Sequence, residues 1–114
     1  MRTTRVITLQ SSAAKTVTFN TQNSPIQVSG FHEADFYLDI TAKAGTTPTL
    51  DITINKRNSV DGKWYPLIVF AQQSAEASIC KQCSSNLGYE ISFTATIAGT
   101  TPSFTFSLVA VLKD

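Results

Sequence analysis

The sequence predicts an all-β fold, an antiparallel β-sandwich of Ig-like or jelly-roll-like type with about eight strands. Three observations carry this. Apolar residues recur every second position, the spacing of a strand with one buried face: Phe36, Leu38 and Ile40 alternate with Tyr37, Asp39 and Thr41. No stretch shows apolar residues at i, i+3, i+4 and i+7 over two helical turns. Gly, Pro, Asn and Asp punctuate the alternating stretches, as connections require.

The N-terminal third holds three short candidates. Arg5–Gln10 and Lys15–Asn20 read as strands, the second with Val17 and Phe19 inward. Ser24–Val28 is a third, and Pro25 at its start suits an edge because proline cannot donate to a ladder. The clear alternation then begins. Phe36–Lys43 and Leu50–Asn55 each place apolar residues at even numbers, and Thr dominates the polar partners, where a β-branched side chain fits a pleated surface. Asn58–Lys63 contains Asp61-Gly62, a tight-turn signal. Trp64–Phe70 is the next strand, and Ala71–Ala77 has room for one turn of helix. Ala77–Cys80 is a weak strand; Tyr89–Ile97 and Ser103–Leu108 are strong ones, the second continuing into Leu108–Leu112.

Ala44-Gly45-Thr46-Thr47-Pro48 recurs as Ala98-Gly99-Thr100-Thr101-Pro102. Each copy is expected to connect two strands, since Gly supplies positive φ and Pro ends a ladder. The phases after the repeat match, Leu50 with Phe104 and Ile52 with Phe106. Before it they do not, because inward Ile40 aligns with polar Thr94. A one-residue shift exchanges a strand's faces, so a bulge or a change of sheet is expected at one copy. The repeat is therefore a recurring turn and not a duplicated domain.

Composition narrows the function classes. The 114 residues fit one domain, 1–114, with residues 1–30 forming an extended N-terminal arm or edge strands. Charged residues make up 15% and the net charge is +1, so neither disorder nor a nucleic-acid-binding basic stripe is expected. No apolar run has the length of a membrane helix, and the start of the chain is too polar for a signal-peptide core. No catalytic, cofactor or metal set is expected. His32 stands beside Glu33 and Asp35, but as a solvated strand start rather than a hydrolase pair. Cys80 and Cys83 fall short of a zinc set; they read as incidental thiols, with a redox pair or a metal shared between subunits as alternatives.

Two stretches break the alternation by being apolar on both faces, Trp64–Phe70 and Leu108–Leu112. A strand apolar on both faces is covered on both, by its own domain or by another chain. The second case makes Tyr37, Trp64 and Tyr65 candidate partner-interface residues, with Leu67, Val69, Val109 and Val111 beside them.

The stretches Ala44–Ile54, Ser59–Tyr65, and Tyr89 through the second Ala-Gly-Thr-Thr-Pro to Val109–Val111 resemble small proteins of the structural-gene regions of tailed bacteriophages. The resemblance covers residues 36–113. It implies a β-sandwich virion protein, most naturally a capsid decoration or cement protein stabilising the major capsid shell. It further implies a symmetric homo-oligomer, dimer or trimer, on the capsid surface, assembled in the host cytoplasm, with the major capsid protein or other virion proteins as partners. A head–tail connector, tail or fibre-associated protein is the alternative. A carbohydrate-binding module with Tyr37, Trp64 and Tyr65 as sugar platform is a third reading from the residues themselves.

Overall fold

The alternating strands form a single seven-stranded antiparallel sheet, seen in a computed structural model that describes residues 4–58, 60–84 and 87–114. The elements are β1 (Thr4–Lys15), β2 (Phe19–Asn20), β3 (Ile26–Gln27), β4 (Glu33–Arg57), β5 (Trp64–Val69), β6 (Ala77–Cys83) and β7 (Glu90–Lys113). No helix occurs among the described residues.

β4 and β7 are paired along their whole lengths, from Glu33 opposite Lys113 to Arg57 opposite Glu90. Near the middle this ribbon folds over, so that the sheet becomes two layers. The first layer runs β1, C-terminal half of β7, N-terminal half of β4, β6. The second runs β2 and β3, N-terminal half of β7, C-terminal half of β4, β5. Both halves point their apolar rows into one core: Phe36, Leu38 and Ile40 with Phe104 and Phe106 from one side, Leu50, Ile52 and Ile54 with Ile91 and Phe93 from the other. Phe19 spans the layers, edge-on to Phe93 at 5.5 Å and stacked with Phe106 at 6.4 Å.

The repeated pentapeptides are not hairpin turns. Ala44–Pro48 lies inside β4 and Ala98–Pro102 inside β7, and the copies cross each other: Ala44 is opposite Ser103, Thr46 opposite Thr100 and Thr49 opposite Ala98. The ladder thus continues through a sequence that looks like punctuation, with register shifts between Ala44 and Thr46 and between Thr46 and Thr49. Gly45 (φ 106°) lies so close to the other copy that a Cβ would sit 2.7 Å from the Thr101 oxygen. Gly99 (φ 123°) repeats the approach, its Cβ position 2.9 Å from the Pro48 Cα. The expected change of register is spread over the crossing and its approach: besides the two shifts within the pentapeptides, Thr41 has no partner between the pairs Ile40–Phe106 and Ala42–Thr105.

Two other expectations are corrected. The separate strands expected on either side of each pentapeptide are fused, which reduces the count to seven. Ala71–Ala77 makes no helical turn; Gln73 instead exchanges hydrogen bonds with Leu50, at 2.8 and 2.9 Å, because the ladder offers its backbone both a donor and an acceptor. The Asn58–Lys63 turn is present apart from Ser59, which lies outside the described residues. Asn58 Oδ1 accepts from the Val60 and Asp61 amides at 2.8 and 2.9 Å, and Asp61 Oδ1 accepts from the Lys63 amide at 2.9 Å.

Candidate partner-binding surface

Strand register decides which side chains share a face. In the first layer, successive rows on the outer side are Thr4, Lys113 and Glu33; Val6, Val111, Asp35 and Gln82; Thr8, Val109, Tyr37 and Cys80; then Ser107, Asp39 and Ser78. Even-numbered residues of β4 point to the core, so the odd ones point out together. Tyr37, Val109 and Val111 are thereby joined on one surface. Val6 belongs with them, is 68% exposed, and was not among the residues expected from sequence. Alternation alone gives a strand's faces but not its neighbour across the sheet, and only the Val6–Val111 pairing reveals the patch.

Polar groups frame it. Lys113 Nζ donates to Asp35 Oδ2 at 2.8 Å, the two side chains being 26% and 17% exposed. Ser78 Oγ donates to Asp39 Oδ1, also at 2.8 Å. Tyr37 lines a shallow cleft of about 310 Å³ with Asp39, Ser78 and Cys80. Desolvation by these neighbours, then the Asp35 charge and the Cys80 thiol, hold the Tyr37 phenol above its ordinary range; Lys113 acts in the opposite sense.

The other expected residues lie elsewhere, on β5 at the edge of the second layer. Trp64 is opposite Arg57, whose guanidinium carbon sits 4.5 Å over the indole ring. Arg57 Nε also donates to Glu90 Oε1 at 3.0 Å. Tyr65 donates its hydroxyl proton to Asp61 Oδ2 at 2.7 Å. That hydrogen bond raises the Tyr65 phenol, while the Lys63 amide first and the Tyr65 hydroxyl second lower Asp61. Leu67 is a bulge residue packed against the protein's own core, so much of its apolar surface is already covered. Val69 is 63% exposed opposite Thr53.

Tyr37, Trp64 and Tyr65 do not form a platform. Tyr37 is in the first layer, Trp64 and Tyr65 are consecutive in a strand and so point to opposite faces, and Arg57 covers the indole. His32 is exposed just before β4, its amide bonded to the Lys113 oxygen at 3.0 Å, and Glu33 and Asp35 face outward in the first layer. Among the described residues no group of three or more His, Cys, Asp or Glu is placed to hold a metal ion. Cys80 is exposed on the outer face and Cys83 is buried against the core opposite Ala34. Three residues of strand separate them by about 10 Å, beyond the Cα reach of a disulfide. Strand geometry therefore rules out a bridge within this pair.

Compared with protein-family models and with curated proteins, the chain matches neither. The class defined by its own geometry is a sandwich-like all-β protein with a folded-over ribbon at its centre and an apolar outer face on one layer.

Proposed function

We propose that this chain is a virion structural protein, a capsid cement or decoration protein that binds other proteins and carries no catalytic site. The observation that carries the reading is the outer face of the first layer. Val6, Tyr37, Val109 and Val111 form a contiguous patch on a rigid sheet whose other side is fully occupied by core. Such a patch on a low-charge surface suits lasting burial against a partner, since hydroxyls, amides and alkyl groups desolvate more cheaply than ions. The phage-like strand pattern supplies the setting, and Val69 on β5, 63% exposed opposite Thr53, offers a second, separate apolar spot for the shell.

The test is copy number and binding. Purified particles analysed by quantitative mass spectrometry are expected to contain hundreds of copies, and the purified chain is expected to cosediment with shells of the major capsid protein. Copy numbers in the tens would move the protein to the connector or tail. A chain missing from particles and indifferent to shells would remove the reading.

A further inference from the structure

The edges of the sheet are guarded, which directs association to a face. An exposed strand edge invites pairing with another chain, and proteins blunt it with bulges, inward-pointing charges, proline or brevity. β1 has register shifts after Thr8 and after Gln10, and the charged residues Arg5 and Lys15 at core-side positions opposite Leu112 and Phe104. β6 carries Lys81 opposite buried Phe36. β5 has Pro66 and the Leu67 bulge, and β2 and β3 are two residues each. Each of these edges carries at least one such device, whereas the outer face of the first layer carries valines and a tyrosine.

We propose that two copies of this chain pack face to face through that surface, about a two-fold axis running along the strands between β4 and β7. The face is complementary to itself under this operation. The axis exchanges β7 with β4 of the second copy within each row. Lys113 then lies over the partner's Glu33, Val109 over the partner's Tyr37, and Ser107 over the partner's Asp39. Opposite charge meets opposite charge, apolar meets apolar, and a hydroxyl meets a carboxylate. One row is mismatched: Val111 lies over the partner's Asp35, which is already held by Lys113 and is 17% exposed, and Val6 lies over the partner's Gln82, an uncharged amide. β1 lies over the partner's β6, which sets Thr8 over the partner's Cys80.

The area suffices. Four strands about 4.8 Å apart and roughly ten residues long at about 3.3 Å each present roughly 600 Å² per copy. That is roughly 1,200 Å² in total, the lower bound of a stable specific interface. Face-to-face sheets accept this aligned geometry at about 10 Å separation. The inference deepens the structural-protein reading but does not need a shell to be tested.

The experiment is sedimentation equilibrium on the purified full chain from micromolar to submillimolar concentration. The expected result is twice the chain mass, falling to the single-chain mass in Val109→Lys with the circular dichroism spectrum unchanged. A second variant guards against misfolding: Lys113→Glu sets like charges over the partner's Glu33 and is expected to lower the mass toward that of the single chain, and adding Glu33→Lys, which restores opposite charges across the axis, is expected to bring the double mass back. A monomer at all concentrations, a trimer, or a dimer indifferent to both Val109→Lys and Lys113→Glu would overturn the inference. A monomer that still coats shells would overturn it and leave the proposed function; a dimer that ignores shells would do the reverse.

Discussion

The two halves of the β4–β7 ribbon are alike inside and different outside. Inside, Phe36, Leu38 and Ile40 play the part that Leu50, Ile52 and Ile54 play, and all six are at most 2% exposed. Outside, the second layer shows Thr53 beside Thr94, and Asn55 Nδ2 donating to Thr94 Oγ1 at 3.0 Å. The first layer shows Val109 beside Tyr37 and Val111 beside Val6. The same backbone thus carries a mainly polar exterior on one half of the ribbon and a partly apolar one on the other. The shared core and the differing exteriors can be attacked separately.

The largest effect is expected in the shared core. Phe93→Ala and Phe106→Ala remove rings from opposite layers that both touch Phe19, and all three rings form one packed unit. Each substitution is expected to cost about 3–5 kcal/mol, measured by urea denaturation. Equal losses in a single transition would sharpen the picture of one core closed from two sides. A two-step transition with only one half affected would break it.

How far this was legible in the sequence depends on the region. The alternation of β4 and β7 is local, so their inward residues could be read directly, from Phe36 to Ile54 and from Ile91 to Leu108. The Thr41 bulge was foreshadowed by the clash of phases around the two pentapeptides. Their crossing was not, because Gly45 and Pro48 in isolation carry turn chemistry, and only the pairing of their neighbours, Ala44 with Ser103, Thr46 with Thr100 and Thr49 with Ala98, carries the ladder past them. The candidate surface was half legible. Val109 and Val111 were marked by apolarity on both faces of their strand, but Val6 sits in an ordinary polar context and joins them only through register. Leu67 carried the same mark as Val69 for the opposite reason, its own core.

A middle-sized effect is expected at the crossing that joins the halves. Gly45→Ala would place a methyl group 2.7 Å from the Thr101 oxygen, and Gly99→Ala one 2.9 Å from the Thr47 oxygen. Both glycines have positive φ, where an L side chain is strained as well. Each substitution is expected to destabilise by about 1–3 kcal/mol, with similar values because the contacts are near mirror copies. Thermal denaturation checks this. A large loss at one glycine with none at the other would show that the two copies do unequal work, and that the ribbon's halves are less equivalent than their interiors suggest.

The smallest effect distinguishes the two exteriors through their tyrosines. Tyr37 and Tyr65 both titrate above the ordinary phenol value, but for different reasons. Tyr37 is raised first by desolvation among its neighbours and then by Asp35, whereas Tyr65 is raised first by its hydrogen bond to Asp61. Asp61→Ala is therefore expected to return Tyr65 toward the ordinary value and leave Tyr37 where it is, read by ultraviolet or NMR titration of the two phenols. The stability profile follows with opposite signs at the two ends of the pH scale. The raised phenols stabilise the fold fully below about pH 10, and that contribution is lost as pH rises through their folded values. The lowered Asp61 contributes above its unfolded value of about 3.9, and loses its contribution as pH falls through the folded one. In Asp61→Ala the acid-side loss should vanish and the Tyr65 part of the alkaline loss should shrink, since the same carboxylate titrates at the acid end, held low first by the Lys63 amide, and accepts the Tyr65 hydrogen bond at the alkaline end. If Tyr37 moved as well, the two exteriors would be electrostatically coupled across the molecule, and treating them as separate surfaces would fail.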